Sequence, residues 1–96
     1  MAADGAGAAR ARAAAADEEA RILEFVNTLA VRTGPVRDTA LDLFRTHTLD
    51  SMAILELVVW LEQCFAVRVA STDLTPQNFR SVDAIAGYVR RSRAGN

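Results

Sequence analysis

Residues 49–65, Leu49-Asp50-Ser51-Met52-Ala53-Ile54-Leu55-Glu56-Leu57-Val58-Val59-Trp60-Leu61-Glu62-Gln63-Cys64-Phe65, read as a helix that carries its own start signal. With about 100° between successive residues, Ile54, Leu55, Leu57, Val58, Leu61 and Phe65 fall on one broad apolar face. Asp50 or its neighbour Thr48 can accept from the free N–H groups of the first turn, which places the helix at 51 to 65. Met52, Glu56, Val59 and Gln63 cluster away from the apolar stripe. Two apolar side chains beside an acid and an amide, next to Ser51, describe a docking strip. Trp60 lies off the core face as well, partly exposed, and tryptophan is a favoured interface anchor. The competing arrangement has the preceding loop fold over Met52 or Val59 and bury them.

Before this segment, Asp17, Glu18 and Glu19 suit a helix N-terminus, and Ile22, Leu23, Phe25, Val26, Leu29 and Ala30 recur at helical spacing. The pattern predicts a first helix over 17 to 32, stopped by Gly34 and Pro35. A long connection leads from there to Leu49. Its apolar residues Leu41, Leu43 and Phe44 predict that it packs against the core. After Phe65, an extended piece from Val67 to Val69 leads to Ser71, Thr72 and Asp73, which can begin a short helical turn across 74 to 79. Ser81 caps a last helix with Val82, Ile85, Ala86 and Val89 inward, and Arg90, Arg91 and Arg93 near its negative end. The expectation is an all-α bundle of three main helices and one short helix, with a long first loop. Residues 1–16, rich in alanine and lacking large apolar side chains, are expected to form a disordered leader. The folded domain then occupies 17–92 and a tail 93–96.

The whole chain bounds the function. Its 96 residues, 51% hydrophobic and 24% charged, allow one domain with a modest core. A formal net charge of -1 calls for neither nucleic acid nor membrane, and no apolar run reaches the roughly 20 residues of a membrane span. No signal peptide is visible, so the cytoplasm is expected. Cys64 is the only cysteine and His47 the only histidine, so no disulfide or zinc set is assembled from them. Cys64 is expected to pack as a small hydrophobe. A catalytic pairing of His47 with Ser51 lacks a glycine-framed nucleophile turn and room for an oxyanion site, so no enzyme is expected.

Leu49-Asp50-Ser51-Met52 resembles the attachment motif of acyl and peptidyl carrier proteins, in which the usual form is Asp-Ser-Leu. The resemblance runs from about Ala20 to Arg91. It includes Leu43-Phe44, Leu61-Glu62-Gln63-Cys64-Phe65 and Asp73-Leu74-Thr75-Pro76-Gln77-Asn78-Phe79-Arg80-Ser81-Val82. It implies a four-helix carrier fold in which Ser51 receives 4'-phosphopantetheine from coenzyme A through a phosphopantetheinyl transferase, with Asp50 as the motif's acid. The arm's thiol then carries an acyl or aminoacyl group as a thioester. A phosphodiester at a helix start also meets free N–H groups and the positive end of the dipole. Partner enzymes are implied to dock on the second helix, here through Met52, Glu56, Val59, Trp60 and Gln63. Gln63 stands where many fatty-acid carriers have a further acid, and Glu56 and Glu62 remain, so recognition should lean on apolar contacts.

Where many such carriers have glycine before Leu-Asp-Ser, this chain has His47, and a somewhat different loop shape is expected. Ile54, Leu55, Val58 and Phe79 are expected to line an apolar space between the second and third helices that could shelter cargo. The segment around Leu74-Thr75-Pro76 is similar to free-standing carriers of bacterial secondary metabolism, including those of polyketide extender units, and also to D-alanyl carriers of the cell wall. The arginine-only, alanine-rich bias favours the former. The partners implied are the transferase, a loading enzyme and downstream synthase or modifying enzymes, with the carrier a monomer. A helical adaptor that never carries cargo would explain the bundle and the strip without needing Ser51.

Overall fold

The computed structural model describes residues 2–30 and 34–94, with side chains described over 16–30 and 34–93. Four α-helices follow in order: α1 (Ala2–Leu29), α2 (Ser51–Phe65), the single turn α3 (Pro76–Phe79) and α4 (Val82–Ala94). A 3-10 turn, Ser71–Asp73, precedes α3. No strand occurs among the described residues, and the all-α bundle expected from the periodicity is the fold.

The core is built by α1, α2 and α4, with the long loop threaded between them. Ile22 and Val26 of α1, Leu57 and Leu61 of α2, Phe79 of α3, and Val82, Ile85 and Val89 of α4 are fully buried. Loop residues Val36, Leu43 and Leu49 join them. Burying each such side chain contributes about 1.5–3 kcal/mol, so these layers outweigh any single polar contact. Arg21 of α1 lies over the Phe65 ring, 5.1 Å from its centroid, and helps close α1 on the end of α2.

The 30–49 connection is fixed by backbone pairing as well as by its apolar anchors. The Asn27 side chain mimics a neighbouring strand: its Nδ2 donates to Val36 O at 3.1 Å and its Oδ1 accepts from Val36 N at 2.5 Å. Further along, Asp83 N donates to Thr39 O at 2.9 Å and Leu43 N to Arg80 O at 2.6 Å. The loop is thereby held to α1, to the end of α3 and to the start of α4. Gly34 takes φ +88°, a conformation that side chains with a Cβ rarely adopt.

Three boundaries differ from the sequence expectations. Helix α1 begins at Ala2, inside the stretch assigned to a disordered leader, so no helix start falls at Asp17. Alanine has the highest helix propensity and needs no apolar partner to express it. Helix α1 ends at Leu29 rather than at residue 32, with Ala30 already outside it; the side chains of 2–15 and residues 31–33 lie outside the described residues. Helix α4 runs through Ala94, so Arg93 belongs to its last turn rather than to a tail, and there it pairs with Glu18 of α1.

Candidate functional site

Helix α2 begins at Ser51 because Asp50 caps it. Asp50 takes an extended conformation, φ -109° and ψ -174°, and its Oδ1 accepts from Ala53 N at 2.8 Å, while its carbonyl accepts from Ile54 N at 2.9 Å. Of the two cap candidates, the carboxylate fills the role. Thr48 is buried instead, and its hydroxyl shares a hydrogen bond of 2.9 Å with that of Thr46.

The loop that presents this cap is over-determined. Asp42 Oδ1 accepts from Phe44 N and Arg45 N, both at 3.0 Å, and Leu49 N donates to Leu43 O at 3.0 Å. Between these anchors His47 sits at φ +60°, in the left-handed region that glycine tolerates best. A different loop shape was expected from histidine here. The chain instead holds the conformation glycine would favour, with neighbouring hydrogen bonds and the buried Leu43 and Leu49 offsetting the strain.

Ser51 is exposed at the first residue of α2. Its N–H and that of Met52 belong to a first turn that has no intrahelical acceptors, and the helix dipole places positive potential there. An exposed hydroxyl beside the Ser51 and Met52 amide donors fits a serine phosphodiester. His47 is likewise exposed, and among the described residues no group of three His, Cys, Asp or Glu side chains could hold a metal ion.

The outward face of α2 is open rather than covered by the loop. Met52 is 69% exposed and Val59 52%, and Glu56 and Gln63 are exposed with them. Trp60 is half-buried: its ring stacks on Phe25 of α1, centroids 4.6 Å apart and 8° from parallel, and meets Phe65 edge-on at 5.5 Å. Phe25, Leu55, Glu56, Val59, Trp60 and Gln63 line an apolar groove of about 420 Å³ between α1 and α2.

Three side chains depart from the sequence reading. Leu55, assigned to the core face and to an inner cargo space, is 54% exposed and lines this outer groove. Of its expected companions, Phe79 is fully buried, while Ile54 and Val58 pack partly buried against the core. Cys64, expected to pack, is exposed. Glu62, read as an acid of the docking helix, turns back to accept from Val69 N at 3.0 Å and so anchors the segment leaving α2.

The sequence reading gave Asp73 to a helix start and Arg91 to the helix dipole, and passed over the hydrogen-bond network in which they, with Tyr88 and Asn78, hold the far end of the bundle. Tyr88 Oη donates to Asp73 Oδ2 at 2.8 Å, Asn78 Nδ2 donates to Asp73 O at 2.9 Å, and Arg91 donates to Asn78 Oδ1 at 3.3 Å. Burial, and then its bond to Asp73, push the Tyr88 phenol above its ordinary range. Asn27 and Asp42 were passed over in the same way. Their only signal is that Asn and Asp favour side chain-to-backbone bonds.

Among the described residues, no helix is long and apolar enough to cross a membrane. A protein-family profile described as a phosphopantetheine attachment site matches residues 23–89, a span that includes α2, its cap and most of α4. No curated protein matches the chain.

Proposed function

The chain belongs to the phosphopantetheine attachment family, and on that premise we propose that Ser51 is the residue modified and that the protein presents acyl or aminoacyl groups to enzymes of bacterial secondary metabolism. The prosthetic group of this family is covalent 4'-phosphopantetheine, whose terminal thiol holds cargo as a thioester. The observation that carries the assignment to Ser51 is its position: an exposed hydroxyl at the first residue of α2, next to a carboxylate fixed by the helix itself.

Each residue has a distinct part. Ser51 Oγ attacks the phosphorus of coenzyme A that bears the pantetheine. The Oγ–P bond forms as the bond to the nucleotide breaks, and the hydroxyl proton passes to a base of the transferase. Asp50, held by Ala53 N, presents a negative charge where the transferase's metal ion binds. The first-turn N–H groups face the phosphodiester that results. Met52, Glu56, Val59, Trp60 and Gln63 supply the address, with more apolar surface than charge. Similarity of the Asp73–Phe79 segment to free-standing carriers, together with the arginine-only composition, supports a polyketide extender unit or a similar group as the cargo. The partners in this reading are a phosphopantetheinyl transferase, a loading enzyme and a downstream synthase. The folded carrier unit, in the same reading, extends over 17–92 and acts in the cytoplasm.

The test is intact-protein mass after incubation with coenzyme A, magnesium and a broad-specificity phosphopantetheinyl transferase, with Ser51→Ala as control. A single phosphopantetheine increment that disappears in the variant is the expected result. A folded wild-type protein without the increment would favour a helical adaptor, and an increment that persists in Ser51→Ala would move the attachment elsewhere.

A further inference from the structure

The exposed residues of α2 are ordered with respect to Ser51. Ser51, Leu55, Val59 and Gln63 are spaced by four, so they form one row along the helix surface in which each side chain neighbours the next. Every member of the row is exposed, and Leu55 and Val59, at 54% and 52%, are two of the three large exposed hydrophobics among the described residues. This row winds from the proposed attachment serine into the groove of about 420 Å³, which the stacked Phe25–Trp60 pair helps line. The groove is shallow and open to solvent, so it covers one side of a bound chain rather than enclosing it.

The reach matches. At 1.5 Å rise per residue, Leu55 lies about 6 Å and Gln63 about 18 Å along the axis from Ser51. An arm built of roughly five residue-lengths of extended backbone spans about 17 Å. The row also turns about 120° from Ser51 to Gln63 on a surface about 5–6 Å from the axis. The surface path is therefore about 14 Å to Val59 and about 21 Å to Gln63, and the thiol end arrives just past Val59, beside Trp60. On the opposite side of α2, Phe79 is fully buried and Ile54 and Val58 are packed against the core, so an inner route requires core side chains to separate.

We propose that the outer α1–α2 groove is the resting site of the carried acyl group, reached along the Ser51–Leu55–Val59 row. The inference rests on Ser51 being the attachment residue. The groove takes an aliphatic or aromatic acyl chain that is uncharged where it enters. Of the cargoes proposed above, an uncharged acyl group therefore rests in it and a carboxylated extender unit stays in water on its arm. Its walls are apolar, and the Glu56 carboxylate at the rim repels an anionic end group. Covering Leu55, Val59 and the open side of Trp60 also removes from water the apolar surface that the bundle leaves exposed.

Trp60 is the only tryptophan, so its fluorescence reports the groove directly. The carrier is prepared unmodified, with the bare arm, and loaded from octanoyl-coenzyme A or succinyl-coenzyme A, each state verified by intact mass. The octanoyl form is expected to show blue-shifted Trp60 emission and reduced acrylamide quenching relative to the bare-arm form, and the succinyl form neither change. Amide shifts caused by the octanoyl group should concentrate at Leu55, Val59, Trp60 and Gln63. Val59→Asp, loaded to the same mass, should lose the emission shift. Octanoyl-loaded protein with unchanged Trp60 emission, or with shifts confined to Ile54, Val58 and Phe79, overturns the groove assignment and leaves the carrier role standing. Equal effects from succinyl and octanoyl groups overturn the charge selection. A missing mass increment instead strikes the attachment at Ser51.

Discussion

Asp50 has two jobs in this account, and substitution separates them. Its Oδ1 caps α2 through Ala53 N at 2.8 Å, and in the function proposed above its charge serves the transferase. Asp50→Ala removes the cap bond, at about 1 kcal/mol within a range of 0.5–2. It also removes a favourable charge at the helix N-terminus, worth about 0.3–1 kcal/mol at low salt. Because Asp50 is exposed, the charge contribution belongs at the lower end, and the total is about 1–1.5 kcal/mol. Asp50→Asn keeps an equally good acceptor in the same place and loses only the charge, so it should cost no more than about 0.5 kcal/mol, fading as salt is raised. Urea denaturation followed by far-UV circular dichroism gives both differences, and timed intact-mass measurement with the transferase gives the loading rates. Both variants should load far more slowly than wild type, although only Asp50→Ala is appreciably destabilised. If Asp50→Asn is as unstable as Asp50→Ala, the cap bond is not what starts α2. If Asp50→Asn loads at the wild-type rate, the acid's charge has no part in modification.

Ala66 closes α2 at φ 55°, exposed and without a glycine's freedom. Relief of about 1–2 kcal/mol of left-handed strain, less about 0.4–1 for the added entropy of the unfolded chain, makes Ala66→Gly stabilising by roughly 0.5–1 kcal/mol in urea titrations. Glu19 of α1 has its pKa raised, first by its hydrogen bond with Asp83 of α4, then by burial and by the charge of Asp83. Its proton is held more tightly folded than unfolded, so its contribution to stability is fully present below the ordinary carboxylate range and is lost as pH rises through the folded pKa. Glu19→Gln should therefore gain on wild type between acid and neutral pH in paired denaturation curves, and a constant difference would refute the assignment. Trp60→Ala, which undoes two aromatic contacts of a half-buried ring, should cost about 2–3 kcal/mol in thermal or urea unfolding. Met52→Ala, at a 69% exposed position, should change stability by less than about 0.5 kcal/mol and be read only in partner transfer.

The parts of the fold legible in the sequence are those governed by local physics. Helix α2 was bounded at both ends by its cap and its 3.6-residue period, and Ser81 was placed correctly as the cap of α4, where its Oγ accepts from Ala84 N at 3.1 Å. What stayed hidden depends on partners remote in sequence. Nothing near Asn27 says that it will hold Val36, and nothing near Leu43 says that it will meet Arg80. Leu55 and Cys64 show the same limit on a finer scale. Apolar residues spread over half of α2, and periodicity cannot say where the cover ends. The packing of α1 decides it, because Phe25 takes Trp60 into its stack and stops short of Leu55.

The exposed apolar row has a consequence for how cargo leaves. Polar residues at Met52, Leu55 and Val59 would cost the bundle little, since all three are more than half exposed. The fold therefore does not explain them; with Ser51 carrying the arm as proposed, their use lies in what they touch in the loaded protein. Met52 lies beside Ser51, within about 20° of Val59 around the helix but about 10 Å short of it along the axis, whereas Leu55 and Val59 lie along the path of the arm. A resting acyl group covers Val59 and Trp60 but leaves Met52 and the Glu56 carboxylate in water. An enzyme can then recognise the loaded carrier at Met52 and Glu56 first. As it closes on Val59, it competes with the acyl group for the same apolar surface, and the contact area it gains there offsets the loss of the cargo's own. Docking and release become one exchange of burial on a single helix face, with no opening of the core.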